Sequence, residues 1–254
     1  MSDPDTPYIL REAAKRLDLP TRRLFLRNAL GLGTLGLLGG CKVIDGLSAE
    51  QMLSGMNDFN DRAQAWLFNP SALAREYPES AITRPFPFNS FYTPNSPDLA
   101  PVIEAAGWVL NVTGQVERTA DWTLPQLYAL PQFTQITRHI CIEGWSAIGK
   151  WGGVRLSHFL KVVGADTRAK YVTFRCDDEY VTSIDMATAL HPQTQLCLWM
   201  DGRILERRHG FPLKLRVPTK LGFKNAKHVG EIEVGNDYTG GYWETYGYNW
   251  YSGL

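Results

Sequence analysis

The sequence carries no surplus of charge. Lys and Arg together number 26, Asp and Glu also 26, and the formal net charge is zero. A nucleic-acid partner, which calls for a basic surface, is therefore not expected. Cysteine is scarce, with four residues at positions 41, 141, 176 and 197. No two form a CxxC pair, which argues against an ordinary zinc or iron–sulfur site. No CxxCH haem-attachment motif occurs. The apolar run from Ala29 to Gly40 is too short to cross a hydrocarbon core of ~30 Å as a helix. Hydrophobic residues make up 44%, with eight Trp and eleven Tyr, which is the composition of a folded domain. At 254 residues the chain has room for one large domain or two small ones.

The N-terminus reads as an address. Arg22-Arg23-Leu24-Phe25-Leu26 precedes the weakly apolar run, the pattern of a twin-arginine export signal within residues 1–40. That route carries folded proteins. Leu38-Gly39-Gly40-Cys41 is similar to a lipobox, which would make Cys41 a lipid anchor. Residues 41–80 form an N-terminal helical and linker segment. In it Met52, Met56, Phe59, Ala63, Trp66 and Leu67 mark an apolar helix face, expected to pack against the main body. The main domain is placed at 81–254. A Pro-rich stretch from Pro78 to Pro101 reads as an extended arm over the surface.

Further on, Trp108–Gly114 reads as a strand, and a short helix starts at Thr123 with Pro125 in its first turn. A strand over 135–142 is followed by an irregular, glycine-rich stretch holding Gly144, Gly149, Gly152 and Gly153. A helix over Val154–Val163 stops at Gly164. Strands are expected at Tyr171–Cys176 and Leu196–Met200, the second entering a tight turn at Asp201-Gly202, with a helix over Ile184–Pro192 between them. The mixture implies an α+β fold of mixed sheets and short helices.

Two stretches carry chemistry. In the first, Arg138-His139-Ile140-Cys141-Ile142-Glu143-Gly144-Trp145, a cysteine stands where a strand opens into a loop. Three readings are open: a buried structural thiol, a nucleophile served by His139, or a thiolate ligand to a metal cofactor. In the second, residues 208–229, Arg208, Lys214, Arg216, Lys220, Lys224 and Lys227 accompany His209 and His228. Lys214 and Arg216 alternate with Leu213, Leu215 and Val217. On a strand this puts the cations on one face, as a phosphate-bearing ligand requires.

Cys141-Ile142-Glu143-Gly144-Trp145-Ser146, followed by Trp151-Gly152, resembles the cysteine loop of the sulfite oxidase superfamily of molybdopterin-dependent oxidoreductases. Within it the chain most resembles the periplasmic protein-methionine-sulfoxide reductase catalytic subunit branch, over about Asn89 to Tyr248. The resemblance implies the sulfite-oxidase-type catalytic fold and a molybdenum–molybdopterin cofactor with Cys141 as its one protein ligand. It places cofactor contacts at Asn89, Tyr92 and Thr93, at Cys176, at His209 and Lys214, and at Asn225, Ala226 and Lys227. Lys214 stands where relatives have Arg, and His209 is like the sulfite oxidases rather than the branch. Glu143 is a candidate proton relay. No room follows Trp250 for the dimerisation domain of sulfite oxidases, so a monomer is expected. Electrons would then come from a separate protein, a membrane haem subunit or a soluble cytochrome.

The reaction implied is two-electron oxygen-atom transfer. Sulfite oxidases carry arginine soon after the ligand cysteine. Here Gly144-Trp145-Ser146 stands instead, beside the Glu143 carboxylate, which suits a neutral S-oxide better than a sulfite dianion. Lys150 and Arg155 lie close enough in sequence to reach the mouth. The alternatives are a sulfite oxidase-like dehydrogenase, a cofactor-free hydrolase using Cys141 and His139, and a non-catalytic exported binding lipoprotein.

Overall fold

The computed structural model describes residues 72–89 and 100–254, with helical residues at 55–56, 59–60, 63–64 and 66. The export signal, Cys41, Tyr92 and Thr93 lie outside the described residues. The chain divides into two compact units, 1–56 and 57–254. In the second, Phe59 and Trp66 are helical, as their spacing predicts, but exposed. The expected packing of that face on the main body is not found among the described residues.

Ten strands and three α-helices follow in order among the described residues. They are β1 (Val109–Gly114), β2 (Trp122–Thr123), α1 (Leu124–Ala129), β3 (Gln132–Ile140), β4 (Ser146–Arg155), α2 (Leu156–Val163) and β5 (Tyr171–Cys176). Then come β6 (Val181–Asp185), α3 (Met186–Leu190), β7 (Gln195–Met200), β8 (Arg203–Ile204), β9 (Lys214–Arg216) and β10 (Val229–Gly235). One sheet runs β2-β1-β10-β5-β6, the other β3-β4-β7-β8 with β9 also paired to β7. Among the described residues only β1 and β10 pair in parallel. Strands and short helices mix as an α+β fold should.

Local chemistry explains the helices. Thr123 and Gln126 form a capping box, with Pro125 in the first turn of α1. Helix α2 buries Leu156, Phe159, Leu160 and Val163 on one face and ends at Gly164, whose φ of 68° suits glycine. It starts two residues later than its apolar spacing predicts, because Val154 and Arg155 complete β4. Helix α3 is also shorter than expected. Asp185 caps it by accepting from the Thr188 amide at 2.8 Å, so Ile184 and Asp185 stay in β6. The turn at Asp201 and Gly202 has φ of 52° and 77°, a hairpin turn between β7 and β8.

The expected irregular stretch after Gly144 is the largest correction. Ser146–Arg155 is a ten-residue strand paired with β3 from Ile140↔Ser146 to Gln132↔Val154. Its glycines permit close approach rather than disorder. A Cβ at Gly153 would lie 2.0 Å from the Leu196 carbonyl oxygen, across the β4–β7 pairing. At Gly149 a Cβ would meet the Trp151 ring at 2.7 Å.

The Pro-rich arm and the residues just before it do more than wrap the surface. Glu76 bridges to Thr137 on β3, and the Tyr77 amide donates to the Ile136 carbonyl at 3.0 Å. Beyond a 3-10 turn at Glu79–Ala81, Phe86 packs on Trp151 with ring centroids 5.2 Å apart. The arm thereby reaches the end of the β3–β4 hairpin.

Candidate active site

The loop from β3 to β4 is a tight turn built around a cysteine. The Cys141 amide donates to the Trp145 carbonyl at 2.8 Å, and the Gly144 amide donates back to the Cys141 carbonyl at 3.1 Å. Gly144 has φ of 90°, a conformation that favours glycine. Cys141 is left 8% exposed, with Sγ 3.9 Å from Glu143 Oε2. That carboxylate oxygen also accepts from Trp145 Nε1 at 2.9 Å. Burial pushes the Cys141 thiol up from its ordinary range.

Facing the turn is a buried cationic wall. Lys214 Nζ donates to the Asn225 carbonyl at 3.0 Å. Arg216 donates to Asn225 Oδ1 at 2.7 Å, to Thr137 Oγ1 at 3.1 Å and to the Arg138 carbonyl at 2.7 Å. Its guanidinium also lies over Trp151, 5.1 Å from the ring centroid. Lys227 Nζ donates to Asn89 Oδ1 at 3.2 Å and to the Arg208 carbonyl at 2.8 Å, joining the arm to the wall. Burial is the main reason that Lys214 falls to about 7, and repulsion from Lys227 adds to it. Burial likewise lowers Lys227 to about 8 and Arg216 to about 9. No carboxylate pairs with Lys214 or Arg216 among the described residues. Buried cations so placed are costly unless an anion joins them.

Between turn and wall lies an open cleft of about 620 Å³, solvent space at its mouth included. Cys141, Glu143, Asn89, His209, Lys214, Asn225 and Lys227 all line it, so seven of the expected site residues converge. Two do not. Ala226 is buried and its carbonyl accepts from the Leu215 amide at 2.8 Å. Cys176 ends β5, packs on the main core and has burial pushing its thiol well up. Neither lines the cleft.

Several contributors were not marked by the sequence as cleft residues. Phe86 meets Trp151, Trp145 and His209 edge-on, and Trp243 closes the far side from the C-terminal segment. Both come from chain distant from the cysteine loop, where no local pattern marks them. Arg216 was legible through its alternation with apolar residues. Its partner Asn225 is mainly an organiser, since its side chain serves Arg216, the Val217 amide and the Leu221 carbonyl.

The arrangement does not suit a cysteine hydrolase. Cys141 has a carboxylate beside it, and no hydrogen bond joins it to His139. Burial, aided by Arg216, holds His139 well below its ordinary pKa. It does suit a large anionic cofactor bearing a soft metal. Among the described residues no three His, Cys, Asp or Glu side chains gather as a cage, so one sulfur is what the protein offers. His139 Nδ1 and His209 Nε2 are buried without hydrogen-bond partners among the described residues, and both side chains line the cleft.

Residues 98–243 match the family described as oxidoreductase molybdopterin binding domain. The chain belongs to this family. It is 55% identical over 96% of its length, and 92% of the relative's, to "Putative protein-methionine-sulfoxide reductase subunit YedZ1" of Azospira oryzae. It is 27% identical over 87% of its length, and 76% of the relative's, to the protein-methionine-sulfoxide reductase catalytic subunit MsrP of Campylobacter jejuni. Among solved structures it is similar to the sulfane dehydrogenase SoxCD of Paracoccus pantotrophus, with a TM-score of 0.52 and 20% identity. That match covers 55% of this chain and 41% of the other, and it concerns the fold alone. The protein is thus a molybdopterin-dependent oxidoreductase of sulfite-oxidase-type fold. The cationic wall and the lone sulfur are in keeping with that cofactor.

Proposed function

We propose that this oxidoreductase reduces methionine S-oxide in polypeptides at the Cys141 cleft, outside the cytoplasm. Cys141 would ligate molybdenum, while Lys214, Lys227, His209 and Asn89 would hold the pterin and its phosphate. The bound cofactor supplies two-electron oxygen-atom transfer. The S-oxide takes up two electrons and two protons and leaves as thioether and water. Glu143, beside the sulfur and held by Trp145, would pass protons in from solvent.

The observation that carries the reading is where Lys150 and Arg155 go. Lys150 forms an ion pair with Glu79 on the arm. Arg155 lies over the Phe133 ring, 3.9 Å from its centroid. Neither lines the cleft, so the cations that a sulfite dianion would want at this end are turned away. A carboxylate and an indole stand beside Cys141 instead, which favours a neutral S-oxide. The names of the relatives point the same way.

The supply of electrons falls to a separate protein, a membrane haem subunit or a soluble cytochrome. Among the described residues no helix is long and apolar enough to cross a membrane. Export by the twin-arginine route rests on Arg22-Arg23, and a lipid anchor on Cys41. We take the working form to be a monomer. The deciding experiment runs purified, molybdenum-replete protein in two assays: reduced viologen with methionine sulfoxide, and sulfite with ferricyanide. Sulfoxide turnover with little sulfite oxidation is expected; the converse overturns the reading.

A further inference from the structure

The C-terminal segment after β10 is rich in aromatics, and its anchoring is separate from its exposed face. Glu244 pairs with the buried Lys224, which also donates to the Ser183 carbonyl at 3.1 Å. Trp250 Nε1 donates to Ser183 Oγ at 2.9 Å, and the Tyr242 amide donates to the Val181 carbonyl at 3.0 Å along the outer edge of β6. These contacts fix the segment against the sheet. They leave Tyr238, Tyr242, Tyr246 and Tyr248 exposed at 54%, 49%, 65% and 43%. A contiguous exposed aromatic face of this kind is unusual unless something covers it.

The face continues into the catalytic cleft. Trp243 lines the cleft that holds Cys141, and its ring meets Tyr248 at 5.3 Å and Tyr242 at 5.5 Å between centroids. Tyr242 in turn meets Tyr246 at 5.2 Å. On the other side of Tyr242 an open groove with about 1000 Å³ of empty space runs to Tyr238 and Arg175.

We infer that this tyrosine face, from Tyr238 to Tyr248, is the docking surface for the polypeptide that flanks the oxidised methionine. The inference rests on the reading of the cleft as a methionine S-oxide reductase. A methionine side chain entering the cleft past Trp243 would leave its backbone at the rim. An extended chain advances about 3.3 Å per residue, so neighbours two or three positions away fall on the tyrosine rings. Tyrosine offers a large contact area with a polar tip and little side-chain entropy to lose. It reads no particular sequence, which suits a repair enzyme whose substrates share only the S-oxide. The fixed segment keeps the rings in place before binding, which lowers the ordering cost.

The test uses cofactor-loaded enzyme with reduced viologen as donor and two substrates, free methionine sulfoxide and a peroxide-oxidised unfolded protein such as casein. The Tyr242→Ala/Tyr246→Ala variant should lose about tenfold in kcat/KM on the oxidised protein, the scale of one good contact residue. It should keep the wild-type value on free methionine sulfoxide. Tyr242→Phe/Tyr246→Phe, which retains the rings, should restore most of the loss. Unchanged kcat/KM on the oxidised protein overturns the docking surface, whether the face then serves an electron donor or a membrane. Equal losses on both substrates overturn it too, since the rings would then act on the cleft itself. Wild-type enzyme that reduces neither substrate sinks the reductase reading, and the docking surface with it. Wild-type enzyme that reduces both while the variants match it sinks the docking surface alone.

Discussion

Arg216 is bound to the side-chain oxygen of Asn225 at 2.7 Å, and the same oxygen accepts from the Val217 amide at 2.9 Å. Strand β9 and the turn that carries Lys224 to Lys227 are thereby locked together. The other guanidinium contacts, to Thr137 and the Arg138 carbonyl, tie this unit to the strand leading into Cys141. One buried side chain therefore sets the spacing between the cationic wall and the Cys141 sulfur.

Arg216→Ala should cost about 3 kcal/mol or more. It takes the guanidinium from Thr137 Oγ1 and the Arg138 carbonyl, though Asn225 Oδ1 keeps the Val217 amide, and it opens a cavity beside Trp151. Denaturant unfolding would show the loss as a lower midpoint at unchanged slope. Asn225→Ala should be milder but should lower cofactor content, because Lys214 keeps its carbonyl partner while Arg216 loses its alignment. Fluorescence of the oxidised pterin released from purified protein measures this. Cofactor content equal to wild type in Asn225→Ala would mean that the alignment of the wall is not needed.

Cys141→Ser should abolish oxygen-atom transfer while moving the melting temperature by no more than a few degrees. The sulfur is replaced by a poorer ligand of nearly the same shape, and its backbone bonds to Trp145 and Gly144 do not involve the side chain. Activity and a thermal scan on the same preparation check both halves. Full activity in the serine variant would remove Cys141 from the chemistry.

How much of this was legible in the sequence follows from the range of each signal. Cys141 at a strand end, the helix start at Thr123 and Pro125 and the Asp201-Gly202 turn are local patterns, and each stands where its residues predict. The alternation through Lys214 and Arg216 was legible because a strand period of two separates the cations from the apolar residues. Strand β4 was not, because Gly149, Gly152 and Gly153 read as a breaker until Leu196 and Trp151 are known to press on them. Phe86 and Trp243 gave no local signal either. Their place in the cleft depends on pairings with chain many residues away. Lys150 and Arg155 stayed ambiguous for the same reason, since Glu79 and Phe133 decide where they point.

Gly153→Ala tests the reading of β4 directly. A methyl group there would meet the Leu196 carbonyl oxygen at 2.0 Å and the Cys197 Cα at 2.8 Å, both backbone atoms that cannot swing away. A loss of about 1–3 kcal/mol is expected, the range for overpacking. Gly152→Ala is the control. Its nearest contact, Trp199 at 3.3 Å, is a side chain that can shift, so the change should be small. Urea midpoints of the two variants should differ clearly. Equal midpoints would mean that β4 and β7 separate at little cost.

The cationic wall makes stability depend on pH, with a sign that follows from Lys214. Its folded-state pKa is about 7 against an ordinary 10.5, because burial disfavours the charged form. Between those values the unfolded chain binds more protons than the native one, so stability must rise with pH across that window. Lys227, at about 8 in the fold, adds a rise in the same direction from 8 upward. One full proton of difference is worth about 1.4 kcal/mol per pH unit. A phosphate held against these lysines would favour their charged forms and pull both pKa values back up. Protein from a host unable to make molybdopterin should therefore gain melting temperature from pH 7 to 9 more steeply than cofactor-loaded protein. Lys214→Met in the cofactor-free form should flatten the rise. Parallel melting curves for cofactor-free, loaded and variant proteins across that range would show that Lys214 neither titrates there nor faces the cofactor's charge.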